Sequence, residues 1–258
     1  VITGDHDQVT AAFVTNDTKV VASTALVTLD DGEGTAVTAS ELSAIGAKTS
    51  GAITVTNAID IAGTADEVTA ALVTDDTLVV ASTATVTISD NPSISALNAI
   101  ADKTGGVVTA TLAADSLSNL GALTTAGTDL ITITVNDNAE ADVTASDLST
   151  LGGKTAGVVT VSNAVDISGT ASELTAALVT DDTLVVASTA TANITDEATT
   201  DIDATVLSAI GAKTSGEVTV TNAIDISGTA SELTAALVTD GTKVVASTAT
   251  VTISDNPS

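Results

Sequence analysis

The stretch DISGTASELTAALVTD, residues 166–181, decides how this chain folds, because the chain uses it as a repeating unit. It returns letter for letter at 225–240, and as the close copy DIAGTADEVTAALVTD at 60–75. A degraded copy, ITGDHDQVTAAFVTN, occupies 2–16. A string repeated this closely is typical of a structural building block, since a reaction centre needs its groups only once.

A longer period of 165 residues carries this unit. Shifting the chain by that length aligns 42–51 with 207–216, and 79–93 with 244–258, without a gap. Inside the period, short apolar clusters follow one another at 26 residues within a pair, and longer steps with acidic insertions separate the pairs. We therefore predict one continuous array, itself a segment of a longer one. The array covers residues 1–258, with rung pairs at about 1–37, 38–93, 94–142, 143–203 and 204–258.

Each rung opens with a helix signal. Thr170-Ala-Ser-Glu173 has the spacing of a capping box, in which the threonine hydroxyl accepts an N–H three residues on and the glutamate reaches back. Leu174, Ala177 and Leu178 then fall on one face of a short helix. The same cap spacing begins at Thr38, Thr64 and Thr229.

Extended chain follows each helix, because Val, Ile and Thr recur there with the period of two that is typical of strands. A unit of one or two helical turns and one or two strands cannot bury its apolar face alone. Stacked copies give each strand a parallel neighbour and close a continuous core. The sequence thus predicts a mainly β fold with short helices. It is a solenoid of about 26-residue rungs, each a short α-turn plus parallel strands, with paired rungs and a 165-residue superperiod.

The composition fits a thin core and disfavours several partners. Hydrophobic residues make up 44% of the chain, yet Phe13 is the single aromatic residue. There are 33 acidic residues against six lysines and no arginine, so the formal net charge is −27. Nucleic acid and anionic membrane surfaces are therefore poor partners. No apolar run is long enough for a transmembrane segment, and the lack of cysteine decides no compartment.

The acidic loops between rung pairs are the best chemical candidates. Calcium takes six to eight oxygen ligands in a flexible loop, and these loops concentrate Asp, Asn and Glu. None has EF-hand spacing or the glycine-rich nonapeptide of β-rolls, and the alternative interpretation is a solvated loop that gives solubility. Calcium is the one cofactor the sequence suggests. Its candidate ligands are Asp30, Asp31, Glu33, Asn136, Asp137, Asn138, Glu140, Asp142, Asp196, Glu197, Asp201 and Asp203.

Threonine pairs of the form T-x-T could build a flat face for ice or carbohydrate. Aligning Ile61 with Ile88 places Thr54 over Ala81, so the pairs fall in different columns and ice binding is disfavoured. We expect these threonines to be ordinary strand residues on a solvated face.

The lysines and the single histidine receive plain interpretations. Lysines at 48, 103, 154 and 213 occupy one recurring turn, where we expect solvated side chains rather than crosslinks to Asn or Asp. We interpret His6 as a surface residue that cannot build a metal site alone. A Ser–His–carboxylate arrangement would need this one histidine, so the sequence predicts no enzyme.

The phrases DISGTASELTAALV, DLSTLGGKTAGVVTVSNAVDISGT and TITVNDNAEADVTASDLSTL resemble repeats of very large secreted surface proteins of aquatic bacteria, of the cyanobacterial and green sulfur bacterial type. The resemblance covers essentially the whole chain. It implies an extracellular, acidic, calcium-tolerant repeat protein in an adhesin, surface layer or filament. No functional residue carries over from it.

Two functions follow as expectations. The first is a structural repeat protein of an extracellular filament, surface coat or adhesin stalk, whose partner is itself, through open rung ends, or a cell-surface or matrix contact. The second is a surface module that binds calcium at the acidic loops or carbohydrate along the threonines.

Overall fold

Short helices and short parallel strands alternate along the whole chain. The computed structural model describes residues 1–15, 20–76, 79–181, 185–242 and 244–255, so the last three residues of the expected array lie outside it. The helices in these ranges are α1 (His6–Phe13), α2 (Ala39–Gly46), α3 (Ala65–Leu72), α4 (Ile94–Ala101), α5 (Leu117–Leu120), α6 (Ala145–Gly152), α7 (Ala171–Leu178), α8 (Ala204–Gly211) and α9 (Ala230–Leu237).

The strands are two to six residues long. They are β1 (Ile2–Gly4), β2 (Val27–Leu29), β3 (Ala36–Thr38), β4 (Ile53–Val55), β5 (Asp60–Gly63), β6 (Val79–Val80), β7 (Thr85–Ile88), β8 (Val108–Thr111), β9 (Leu130–Val135), β10 (Asp142–Thr144), β11 (Val159–Val161), β12 (Asp166–Gly169), β13 (Val185–Val186), β14 (Thr191–Ile194), β15 (Asp201–Asp203), β16 (Val218–Val220), β17 (Asp225–Gly228), β18 (Val244–Val245) and β19 (Thr250–Ile253).

The helix starts lie where the cap signals predict them. Thr38, Thr64, Thr170 and Thr229 are N-caps, and each accepts the N–H of the glutamate three residues on while that glutamate accepts the threonine N–H. These reciprocal bonds satisfy two of the N–H groups that a helix start leaves without partners. The predicted helices are therefore confirmed. In the described ranges, however, the helices together hold about as many residues as the strands together. The expected "mainly β" class is corrected to α/β.

The chain forms two compact units. The first consists of Val1–Ala113 and Leu123–Thr132, and the second of Ala114–Ala122 and the chain from Ile133 onward. The boundary lies in an irregular stretch, where α5 has four residues and the step between rungs is shortened. The single array over 1–258 stays a prediction.

All pairs of neighbouring strands are parallel, and each strand pairs with one about 25 residues away. In the first unit, β1, β2, β4 and β6 form one sheet, while β3, β5, β7, β8 and the first half of β9 form another. In the second unit, the second half of β9 pairs with β11, which pairs with β13. The other sheets of that unit have the orders β10-β12-β14-β16-β18 and β15-β17-β19. The expected parallel neighbours are thus confirmed.

The core lies between the helices and the strands and consists of aliphatic side chains. Leu42, Ile53 and Ile61 are at most 1% exposed. Leu174 and Ala177, predicted to share the inner helix face, are both 0% exposed. The core holds mostly Leu, Ile, Val and Ala, so each residue buries little apolar surface area. The core therefore reaches a stabilising buried area only when many rungs contribute to it.

A Lys-Thr-x-Gly turn connects each of several rungs to its neighbour. The Thr49 hydroxyl donates to the Ala25 carbonyl at 2.6 Å and accepts the Gly51 N–H at 3.0 Å. A Cβ atom at Gly51 would lie 2.1 Å from that same carbonyl oxygen, so the turn requires glycine. The arrangement recurs at Thr104 with Gly106 and at Thr214 with Gly216.

Candidate functional site

Three loops carry the predicted calcium ligands, and they share one backbone conformation. These loops, the acidic joints, are residues 30–37, 136–142 and 196–203. Each contains one residue in the left-handed region, with φ of 73° at Gly34, 63° at Glu140 and 68° at Thr199. The N–H of each donates at 2.7–2.8 Å to an alanine carbonyl 24 residues further along the chain. The joints are therefore built turns rather than unstructured insertions.

One aspartate in each joint caps a helix that begins 20 or 25 residues earlier. A carboxylate oxygen of Asp196 accepts the N–H of Ala171, the first residue of α7, at 2.6 Å. Asp31 accepts the N–H of His6 at 3.0 Å in the same way, and Asp137 accepts the N–H of Leu117 at 2.7 Å. Asp90 and Asp255 repeat the contact at α3 and α9. A carboxylate at this place accepts from an N–H group that lacks a partner within the helix. Its negative charge also interacts favourably with the positive end of the helix dipole.

Asparagine side chains hold these aspartates from the next rung. The side-chain amide of Asn57 donates to the Asp31 carbonyl at 2.6 Å, and Asn163 donates to the Asp137 carbonyl at 2.7 Å. Asn222 repeats the bond to Asp196 at 2.7 Å. Asp31, Asp137 and Asp196 thus have a structural role that the sequence interpretation missed. The signal was present as a constant spacing of 26 residues from each aspartate forward to an asparagine. The spacing back to the helix start is 25 residues for Asp31 and Asp196 and 20 for Asp137.

His6 differs from the surface residue that we predicted. Its ring Nδ1 lies 2.5 Å from a carboxylate oxygen of Asp31, which is 4% exposed. Burial of the imidazole lowers the pKa of His6, but the hydrogen bond to Asp31 and the negative charges of Asp31, Asp7 and Glu41 raise it more, so the net shift is upward. The ring is half-buried because a carboxylate buried next to it needs a partner.

The remaining candidate ligands are exposed, and three of them have different positions in the fold. Asp203 is the N-cap of α8 and accepts the N–H and the hydroxyl of Thr205 at 2.8 and 2.6 Å, and these bonds lower its pKa. Asp142 lies opposite Asp166 in the parallel register, and Asp201 lies opposite Asp225. The other candidate ligands are also exposed; they are Asp30, Glu33, Asn136, Asn138, Glu140 and Glu197.

All three joints border open grooves. A groove of about 440 Å³ in the second unit is lined by Asp137, Asp142 and Asp147, by Lys154, and by apolar residues that include Leu151. Another, of about 520 Å³, is lined by Asp196, Asp201 and Asp203 with residues of α7 and α8. The groove at the joint 30–37, of about 500 Å³, is lined by Asp30 and Asp31 together with Asp5, His6 and Asp7. Within the described ranges, no three His, Asp or Glu residues lie close enough together to hold a metal ion.

The recurring lysines divide into two kinds. Lys48, Lys103 and Lys213 are exposed, as expected for solvated turns. Lys154 is half-buried at the wall of the first groove, beside the short helix α5.

The threonine register differs from the predicted one. Ile61 pairs with Val86 rather than with Ile88, and Thr54 lies opposite Thr28 and Val80 rather than over Ala81. The error arose because identical residue types were aligned, whereas the number of residues in the rung fixes the register. Columns of outward threonines therefore exist, but they are short and are interrupted by valine or aspartate.

A comparison with protein-family models, curated proteins and solved structures finds no match to this chain. In the part of the chain that the structure describes, no helix has the length and apolar character needed to cross a membrane.

Proposed function

We propose that this chain is a structural repeat protein of an extracellular filament, surface coat or adhesin stalk. In this proposal the rungs form a solenoid, and copies associate through its end strands. The observation that carries it is the repeated unit of capped helix and parallel strand, with most inter-rung contacts made by backbone, caps and small aliphatic side chains. A solenoid of this kind gains length and surface area by repeating one short sequence unit.

Open strand edges support association between copies. In the described ranges, the strands β3, β6, β10 and β15, which lie within the chain, each stand at the end of a sheet and pair on one side. Such edges present N–H and C=O groups that another strand can satisfy. The net charge of −27 opposes association at low salt, because like charges repel over about 10 Å at 0.1 M salt. Assembly should therefore grow with ionic strength.

Sedimentation velocity and electron microscopy of the purified chain test this proposal. We expect species larger than the monomer, increasing with protein concentration and with sodium chloride, and elongated particles in micrographs. A chain that stays strictly monomeric at high concentration and high salt, with and without calcium, contradicts the self-association.

The alternative function is a calcium- or carbohydrate-binding surface module. A groove whose wall includes Asp137, Asp142 and Asp147 supports the calcium version, whereas the absence of three sufficiently close acidic side chains among the described residues counts against it. Carbohydrate binding lacks a stacking platform, since Phe13 is 6% exposed. In calorimetry, the calcium version predicts a saturable titration that Asp142→Asn weakens and that Glu217→Gln, at an exposed residue outside the acidic joints, leaves unchanged. A flat titration removes it.

The proposal assigns no catalytic role to the chain. A serine or threonine nucleophile would need His6 as its base; Asp31 holds Nδ1, and the ring nitrogen Nε2 that would then serve lies 3.6 Å from a carboxylate oxygen of Asp7. Hydrolysis assays with generic ester, peptide and glycoside substrates should give no turnover above the buffer rate.

A further inference from the structure

Two strands in the interior of the chain, β10 and β15, each have one unpaired edge. The strand β10 pairs with β12, and β15 pairs with β17. In the described ranges, neither strand has a neighbour on its other side. Described rungs precede and follow both strands along the chain, and each strand is the first one after an acidic joint.

The register shows which backbone groups lie on the unpaired edge. The Asp166 N–H of β12 donates to the Ala141 carbonyl at 2.9 Å, and Asp142 lies opposite Asp166. In a parallel ladder the N–H and C=O groups of successive residues point to opposite edges, so those of Val143 face β12. Those of Asp142 and the N–H of Thr144 therefore face away from it. The strand β15 has the same register with β17.

The strand β3, which also follows a joint, shows how the chain can close such an edge itself. There the Thr38 N–H donates to the carboxylate of Glu41 at 2.9 Å. At the equivalent place after β10, the shorter side chain of Asp147 accepts from the Thr144 hydroxyl at 2.7 Å instead. After β15 that place holds Val206, which has no acceptor. Among the described residues, the last N–H of the β10 and β15 edges therefore has no acceptor.

Both unpaired edges lie in grooves. All three residues of β10 line the groove of about 440 Å³, and all three residues of β15 line the groove of about 520 Å³. These volumes fall within the range of about 300–1,000 Å³ that is usual for ligand sites. Leu117 of α5 and Ala171 of α7 contribute apolar surface to the two grooves. Each edge is therefore reachable by an added strand.

The grooves favour a positively charged occupant. Three aspartates line each of them, against one lysine in the first and none among the described residues of the second. In addition, Asp142 lies opposite Asp166, and Asp201 lies opposite Asp225. Like charges placed opposite each other destabilise a sheet, whereas opposite charges stabilise it. A cationic side chain beside Asp142 or Asp201 offsets that repulsion.

The alternation along the strands sets the pattern of the occupant. Val143 and Ile202 are both 5% exposed, whereas the aspartates beside them point outward. A residue that bonds to the edge lies opposite Val143 or Ile202, so it is apolar, and its two neighbours are basic. The chain itself has no arginine, and no two of its six lysines are two residues apart. A second copy therefore lacks this pattern.

We propose that the open edges of β10 and β15 bind an extended segment of another protein, in which two basic residues flank a small apolar one. The segment adds as a parallel strand. Its apolar residue donates to the carbonyl of Asp142 or Asp201 and accepts from the N–H of Thr144 or Asp203. The basic side chains lie beside the aspartates. The docking is independent of the association between copies, since it gives these two edges a different partner.

The peptide Ser-Thr-Lys-Val-Lys-Thr-Ser, titrated into the isotope-labelled full-length chain at about 0.15 M salt, tests this by amide chemical shifts. We expect saturable shifts at β10 and β15 and none at Thr38, whose N–H is already bonded. The same peptide with an N-methylated valine keeps its charge but loses the donor, so it should bind at least about tenfold more weakly. Equal affinity of the two peptides shows charge attraction alone and overturns the inference.

Two variants close the edges without changing the net charge. Asp147→Glu and Val206→Gln complete capping boxes at α6 and α8, so each should abolish the shifts at one edge, and the double variant at both. Glu217→Gln, at an exposed residue outside both grooves, removes one negative charge and should bind like the natural chain. Unchanged binding by the double variant overturns the inference. A chain that associates with itself but rejects the peptide overturns this inference alone, and a strict monomer that binds the peptide overturns only the proposed self-association.

Discussion

Gly34, Glu140 and Thr199 occupy the same left-handed position in the three acidic joints, and only the first is glycine. A residue with a Cβ atom pays about 1–2 kcal/mol there, and a β-branched residue is especially strained. Thr199→Gly removes that strain, while the greater freedom of glycine in the unfolded chain offsets about 0.4–1 kcal/mol. We expect a net stabilisation of about 0.5–1 kcal/mol by urea denaturation.

The reverse change supplies the control for this residue. Gly34→Ala should destabilise by a similar amount, because φ is 73° although the space around it is open. Gly32, two residues earlier, lies outside the left-handed region, so Gly32→Ala should stabilise the chain by up to about 1 kcal/mol. A stabilising Gly34→Ala, or a Thr199→Gly that weakens the fold, would show that the joints adopt another backbone.

His6 gives the second prediction at this scale. Its pKa is raised in the folded chain, so the stability it contributes is fully present below pH 6.5, its ordinary value. That contribution is lost as the pH rises through the higher folded pKa. We expect the difference in urea midpoint between the natural chain and His6→Ala to be largest near pH 5.5 and to shrink toward pH 8.5.

The variant His6→Ala is a suitable reference because Ala171 and Ala230 occupy the equivalent position in sister rungs. The backbone N–H of the substituted residue can still donate to Asp31. If the difference in urea midpoint is constant with pH, or increases above pH 7, the interaction between His6 and Asp31 does not stabilise the fold in the way proposed.

The helices are the elements at which the aspartate caps act. Asp196→Ala leaves the N–H of Ala171 without its 2.6 Å partner, and losing a cap costs about 1 kcal/mol. We expect that loss to be local to α7, seen as faster hydrogen exchange in that helix. Glu197→Ala, an exposed neighbour in the same joint, should change stability by less than about 0.5 kcal/mol. Equal effects of the two substitutions would contradict the cap.

Helix starts could be predicted from a few adjacent residues, whereas the aspartate caps could be recognised only by comparing spacings between distant residues in several rungs. The box from Thr170 to Glu173 is local, so four letters contain the whole interaction. The bond from Asp196 to Ala171 joins residues 25 apart, and nothing near either residue identifies the other. The same limitation affected Thr54, whose neighbours depend on rung length, and His6, whose environment is set by Asp31 on a distant loop.

At the scale of the molecule, every element is small and makes its main contacts with elements about 25 residues away. An eight-residue helix is too short to persist alone in water, and so is a three-residue strand. Parallel neighbours were predictable because the repeats leave each rung one place to bury its apolar face. The division into two units was not predicted; its boundary lies in the shortened rung around α5.

The central claim is that the rungs are stable only through their neighbours. The most direct test is far-ultraviolet circular dichroism of residues 38–93, a single rung pair, expressed alone and compared with the full chain. The account predicts a disordered spectrum without a melting transition for the pair and a cooperative transition for the chain. A pair that shows native helix content and melts cooperatively would contradict it.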